Sequence, residues 1–221
     1  MHGLRPAAVV GNGVDPARFG PPTREARREA ARALARRAGA PEGAPVALFV
    51  AHAFRLKGLD LLLRAAAAIP ELFVVVAGGD DPRGARALAR RLGLGARLTL
   101  LGPVDDVVAL YHGATALVHP SRYDPCSLVV LEALACGLPV LASPEDGASE
   151  RVGAGGRVVA ALEDPAAWAA ALRDVLDPAA REAMSAAAAA TRRTWDDVAG
   201  DLLASCGAEP PGRRDRPTSG G

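Results

Sequence analysis

Glutamine is absent from this chain, and lysine, asparagine and isoleucine occur once each, as Lys57, Asn12 and Ile69. Arginine and alanine are abundant instead, so a lone lysine or asparagine marks a position where the common residues would not supply the needed chemistry. Ile69 lies in an apolar stretch, where packing accounts for it. Cysteine is scarce as well: Cys126, Cys136 and Cys206 are odd in number and form no Cys-x-x-Cys pair. That excludes a disulfide framework and a cysteine zinc site, and it favours a reducing, cytoplasmic setting. Charge of one sign is not in excess, with 26 basic against 25 acidic residues. No bulk field therefore draws the chain to nucleic acid or to an anionic membrane, and a partner must be sought at a local site. No apolar run approaches the roughly 20 residues that span a bilayer, and residues 1–10 lack the charged start and apolar block of a signal peptide. What remains is 221 residues, 50% hydrophobic and 23% charged, ordinary usage for a globular chain with a sizeable core.

From residue 46 onward, short apolar runs alternate with longer amphipathic ones. The runs 46–50, 72–77, 97–101, 115–119 and 139–142 are almost continuously hydrophobic, as parallel strands buried on both faces are. Helical patterns cover 58–68, 82–92, 105–112 and 127–136. This alternation predicts βαβ units and an α/β fold with a doubly wound parallel sheet, plus a short edge strand near 157–159. A strand is predicted at 7–10 and an arginine-rich helix at 23–38 with Thr23 as its cap. Further helices follow at 166–176, 179–193 and 195–203. Residues 1–206 are expected to form one domain, and 207–221, rich in Pro, Gly, Arg and Ser, a disordered tail.

Ligands of open parallel sheets bind beyond the carboxyl ends of the strands, where loops and helix amino termini converge. The unusual residues of this sequence collect in those loops. Lys57, next to Gly58 at a helix start, sets an ammonium beside backbone N–H groups, a combination suited to a diphosphate or, more plainly, to a solvated loop lysine. Arg55 offers a second charge. Asp124 precedes a helix start at Cys126 to Val129, an anion site by its unpaired N–H groups. Glu132 falls in an otherwise apolar helix, where a buried carboxylate requires a partner. Spaced eight apart, Asp124 and Glu132 either flank one ligand or serve as a helix cap and a structural ion pair. His2, His52, His112 and His119 show no ligand spacing, so no metal is expected. His119 and Cys126 are read as packing residues near the pocket, and Trp168 and Trp195 as packing their helices. No Gly-x-Gly-x-x-Gly follows a strand and no Gly-x-Ser-x-Gly elbow occurs, which argues against dinucleotide binding and serine hydrolysis.

These stretches, taken in order, resemble the carboxyl-terminal domain of retaining family 4 glycosyltransferases of the GT-B fold. The matching pieces are Asn12-Gly-Val-Asp-Pro-Ala-Arg-Phe19, Arg55-Leu-Lys-Gly58, Val74-Val-Val-Ala-Gly-Gly79, Leu100-Leu-Gly-Pro-Val104, His119-Pro-Ser121, and 124–139, which is similar to the family's E-x7-E segment. The resemblance implies a Rossmann-like domain that binds a nucleotide-diphosphate sugar as donor substrate, with no cofactor. It implies that Lys57 holds the diphosphate, that Glu132 binds the ribose hydroxyls, and that Asp124 faces the donor sugar near the reacting carbon. Lys57 and Asp124 would then carry the catalytic roles. The amides of Cys126, Ser127, Leu128 and Val129 would approach phosphate and sugar, and Gly78, Gly79, Gly102 and Val104 would lie near the nucleobase.

Three departures from the family pattern matter. The first carboxylate is Asp124, one methylene shorter than glutamate. Ala51-His52 stands where the family has Gly-Arg, leaving Arg55 as the available substitute. The family's amino-terminal domain, which supplies most of the acceptor site and closes over the donor, is not represented, so a separate domain is an expected partner. Its absence leads to the expectation of exposed apolar surface from Trp195 onward. Three functions follow: the donor-binding half of a glycosyltransferase, a nucleotide-sugar-binding module without turnover, or a related enzyme such as a sugar-nucleotide epimerase.

Overall fold

A computed structural model describes residues 10–206. Its six parallel strands are β1 (Val46–Val50), β2 (Phe73–Ala77), β3 (Leu98–Gly102), β4 (Ala116–His119), β5 (Val140–Ala142) and β6 (Gly156–Val158). They lie in the order β3-β2-β1-β4-β5-β6. The order reverses between β1 and β4, which pair directly in parallel. Loops leaving these two adjacent strands part toward opposite faces of the sheet and open a crevice at its carboxyl edge. Lys57 follows β1, and Asp124 follows β4.

Eight helices complete the described fold: α1 (Arg24–Ala38), α2 (Leu59–Ala67), α3 (Arg83–Arg91), α4 (Val108–Gly113), α5 (Leu128–Ala135), α6 (Pro165–Leu176), α7 (Pro178–Ala190) and α8 (Trp195–Ser205). The strands show why both faces are covered. Successive side chains point to opposite sides. Val46, Leu48, Val75, Leu117 and Val140 pack in one cluster with Leu34, Tyr111, Val130 and Ala188 from α1, α4, α5 and α7. Their neighbours Ala47, Phe49, Val74, Val118 and Leu141 join Leu62, Leu88 and Trp168 from α2, α3 and α6. Two apolar layers sandwich the sheet, and the continuous hydrophobic runs are its signature in the sequence.

Helix starts follow elementary capping chemistry. Thr23 accepts from the Ala26 amide, Asp164 from Ala166 and Asp177 from Ala180, each satisfying a first-turn donor. Proline occupies the first position of α6 and α7, where its missing N–H costs nothing. Thr194 and Asp197 form a reciprocal capping box on α8. The segment before α1 returns to α8: the Val14 amide donates to the Arg193 carbonyl at 2.8 Å.

The predicted elements are present with small shifts. Helix α4 begins at Val108 instead of 105, because Asp106 caps the turn by accepting from the Val108 amide. Helix α7 stops at Ala190, three residues short of 193. The strand predicted at 7–10 lies, except for Val10, outside the described residues, as does the tail predicted at 207–221. Trp168 is buried as expected, its indole N–H donating to Leu162. Trp195 corrects the packing expectation, because half of it is exposed, and Leu202 is equally bare. The surface expected on this segment is therefore present. Among the described residues, no helix is long and apolar enough to cross a membrane.

Candidate functional site

The loop between β1 and α2 is set by Gly58. Its φ of 76° is left-handed, and a Cβ there would meet the Pro120 carbonyl oxygen at 2.0 Å. Only glycine permits this turn, and the turn presses the Lys57 loop against the loop following β4. The Arg122 amide donates to Leu56 at 2.8 Å, and the Arg122 guanidinium donates to the Arg55 carbonyl at 2.7 Å. The same guanidinium grips Asp60 with two bonds of 2.8 and 3.0 Å and reaches Glu163 at 2.7 Å. Burial opposes ionisation of Asp60, but the Arg122 bonds prevail and hold its carboxyl below its usual range.

Clamped in this way, the two loops bring Lys57 to Asp124. The ammonium lies 2.8 Å from Asp124 Oδ2 and 2.8 Å from the Tyr123 carbonyl oxygen, both of which accept its protons. The other carboxylate oxygen of Asp124 accepts from the Cys126 amide at 3.1 Å. His119, at the end of β4, sets Nε2 3.6 Å from Asp124 Oδ2. The imidazole and, against the effect of burial, the ammonium lower the Asp124 carboxyl to about 2. Asp146, in the loop after β5, is fully buried. Its Oδ1 accepts from the amides of Ser127 at 3.2 Å and Ala148 at 2.8 Å. Burial raises its carboxyl above the ordinary range.

This geometry corrects one expectation at the start of α5. The amides of Cys126 and Ser127 are already engaged by Asp124 and Asp146, because both carboxylates fold back onto the turn. The amides that open the helix are those of Leu128 and Val129, with no side-chain cap on Ser127. Leu128, Val129 and Glu132 form the uncovered stripe of α5, whereas Val130, Leu131, Ala133 and Leu134 are buried. Glu132 is thus about 6 Å along the axis from the first turn and on the same face. Its Oε2 accepts from the Tyr111 hydroxyl of α4 at 2.9 Å, and burial raises its carboxyl despite that bond. The hydrogen-bond partner of this half-buried carboxylate is therefore a phenol, with the Arg18 charge acting on it through space.

The remaining predicted residues divide. Gly78 and Gly102 meet at the edge of β2 and β3, where the Gly78 amide donates to the Gly102 carbonyl at 2.9 Å. A Cβ on Gly78 would fall 1.6 Å from the Ala51 carbonyl oxygen, so its packing alone demands glycine. Val104 packs against the core beside them. Arg55 is not brought to Lys57: it lines a cavity of about 340 Å³ between α2 and α3 with Asp60, Arg64 and Asp81. The structure thus gives no support for Arg55 as the substitute for the family's arginine. His52 instead accepts from the Gly79 amide at 3.3 Å. A larger cavity of about 1100 Å³, edged by Arg24, Arg27 and Arg181, lies at the opposite, amino end of the strands.

Sequence reasoning missed Asp146, Tyr111 and Arg122, and read His119 as packing. His119, Asp124 and Asp146 each offer one ligand atom within 4.8 Å of the others, a set that could hold a metal ion. The Lys57 ammonium already sits on the same Asp124 oxygen, and a cation would have to displace it. Asn12 does carry a signal: the lone asparagine donates to the Cys126 carbonyl at 3.4 Å, anchoring the segment before α1 to the site.

A doubly wound sheet with its charged loops gathered at the switch point defines a Rossmann-like ligand-binding domain. Residues 31–191 match the family model described as glycosyl transferases group 1, and the chain belongs to that family. It is 39% identical to a D-inositol 3-phosphate glycosyltransferase of Mycobacterium avium, over 93% of this chain and 50% of the relative. The chain therefore spans about half the length of the curated relatives it matches. Among solved structures, sucrose-phosphate synthase of Thermosynechococcus elongatus superposes with a TM-score of 0.75 at 30% identity, over 88% of this chain and 51% of that one. The Anabaena protein HepE, in complex with UDP-glucose, shares the fold with a TM-score of 0.77 at 21% identity, over 90% of this chain and 57% of its own. These matches agree with the GT-B carboxyl-terminal architecture inferred from the sequence.

Proposed function

We propose that this chain is the donor-binding half of a nucleotide-sugar-dependent glycosyltransferase that retains anomeric configuration, a family 4 enzyme of the cytoplasm. The observation that carries the reading is the meeting of Lys57 and Asp124 at 2.8 Å beside the open amides of α5. The ammonium and the amides of Leu128 and Val129 bind the diphosphate and stabilise charge as it departs. Glu132, farther along the same face, accepts from the ribose hydroxyls. Asp124 accepts from hydroxyls of the donor sugar; an acceptor hydroxyl bonds to the anomeric carbon on the face that the nucleotide leaves as the bond to the diphosphate oxygen breaks, and its proton passes to that departing oxygen. A second domain supplies the acceptor site and excludes water on closure. This proposal needs no metal, because cationic charge comes from Lys57.

The test is a melting and calorimetric screen of the chain against uridine, guanosine and adenosine diphosphate sugars; UDP-glucose comes first because HepE holds it. One ligand is expected to stabilise the fold, by about 2.7 kcal/mol at a hundredfold excess over Kd. Lys57→Ala and Glu132→Ala should each lower nucleotide-diphosphate affinity at least tenfold; full affinity in both folded variants would remove these roles.

The half-length match favours a second reading, a binding module without turnover of its own. Sugar transfer by the purified chain would reject it, and product analysis separates transfer from epimerisation.

A further inference from the structure

His119 and Asp146 are not used by the reaction outlined above, yet they stand directly behind its sugar-facing carboxylate. His119 is 1% exposed and Asp146 fully enclosed. One imidazole nitrogen, Nε2, faces three oxygens: Asp124 Oδ2 at 3.6 Å, Asp146 Oδ2 at 3.5 Å and Ser127 Oγ at 3.4 Å. Among the described residues, Asp146 Oδ2 and His119 Nδ1 have no hydrogen-bond partner, while Asp146 Oδ1 takes two amides. The Phe49 ring lies beside the imidazole, centroids 6.5 Å apart and planes 27° from parallel. The charged and titratable groups around the imidazole are Asp124 from the loop after β4, Asp146 from the loop after β5 and, through Asp124, Lys57 from the loop after β1. Helix α5 contributes only the neutral Ser127 hydroxyl, and β1 the Phe49 ring.

Lys57, Asp124, His119 and Asp146 thus form a row in which nitrogen-bearing side chains alternate with carboxylates. An enclosed carboxylate with one bare oxygen lacks a donor there, and His119 Nε2, at 3.5 Å, is placed to supply one. The row also answers a difficulty at the ligand. A diphosphate drawn to Lys57 brings negative charge next to Asp124 and competes for the ammonium. Without a second support, Asp124 would be repelled as the donor arrived.

We propose that His119, wedged between Asp146 and Asp124, is the positioning residue of Asp124: it backs from inside the carboxylate that Lys57 holds from outside, and keeps it in place when a diphosphate engages Lys57. This proposal deepens the donor-binding reading and rests on it for the ligand. Its electrostatic part stands alone, because the row exists in the ligand-free chain. His119→Gln replaces the rigid imidazole, and the nitrogen it fixes beside Asp124, with a flexible amide. Asp146→Asn keeps an acceptor for the Ser127 and Ala148 amides but removes the charge facing the ring.

The experiment has two arms on the full chain. In the first, the Asp124 carboxyl is followed by carbon NMR with pH and assigned by its loss in Asp124→Asn. A rise in its midpoint of about one unit or more is expected in His119→Gln. His119→Asn should act in the same direction, so failure of one variant to fold leaves the other to decide; Asp146→Asn, which relieves the repulsion between the two carboxylates, should not raise the midpoint. In the second, calorimetry at neutral pH compares UDP with UDP-glucose, with the guanosine and adenosine pairs alongside. His119→Gln should bind the diphosphate within twofold of the parent but lose tenfold or more for the sugar donor, because only the sugar uses Asp124. An unchanged Asp124 midpoint in the folded His119 variants overturns the proposal, as does an equal loss for diphosphate and diphosphate sugar. If the parent binds no nucleotide at all, the donor-binding reading fails, while the carboxyl titration still decides the role of His119.

Discussion

Glu132 and Tyr111 carry the plainest lesson at the scale of single residues. A half-buried carboxylate accepts one hydroxyl proton, and that hydroxyl belongs to a fully buried ring. Tyr111→Phe removes the donor and keeps the ring. The chain should lose about 1.5–3 kcal/mol, the usual worth of a hydrogen bond to a charged group, with the Glu132 carboxyl displaced further upward. Equilibrium denaturation checks the first effect and carboxyl NMR the second. Asp124 behaves in the opposite sense. Held at about 2 against an ordinary 3.8, it contributes stability that is complete above 3.8 and disappears as pH falls toward 2. Melting between those two pH values should therefore fall less steeply in Asp124→Asn than in the parent. Lys57 and Asp124 were legible in the sequence, one by its uniqueness and the other by its place before a helix. Tyr111 and Asp146 were not, because their partners come from elements remote in the chain and nothing in local spacing announces them.

At the scale of elements, the strands were legible to within a residue because parallel strands covered on both faces must be apolar throughout. Helix ends were less so. Capping by Asp106 moved the start of α4, a local contest that periodicity does not decide. Of the four amides expected to be open at the start of α5, those of Cys126 and Ser127 are taken by Asp124 and Asp146, leaving Leu128 and Val129. The turn at Gly58 is the most demanding element of the site. Gly58→Ala would force a left-handed φ on alanine and drive its Cβ into the Pro120 carbonyl. A loss of roughly 2 kcal/mol or more is expected from thermal melting, with nucleotide affinity lowered because the Lys57 loop must withdraw from Asp124.

For the molecule as a whole, the strand order was not read from the sequence, only the alternation that requires some parallel order. The reversal between β1 and β4 makes neighbours of two residues separated by 67 positions. The pairing of β1 with β4 and the clamp between the two loops hold them together. A chain in which β1 and β4 are not yet paired has no assembled Lys57–Asp124 site to offer. A nucleotide added during refolding would act on the finished domain alone: it would slow unfolding and leave the rate of assembly untouched.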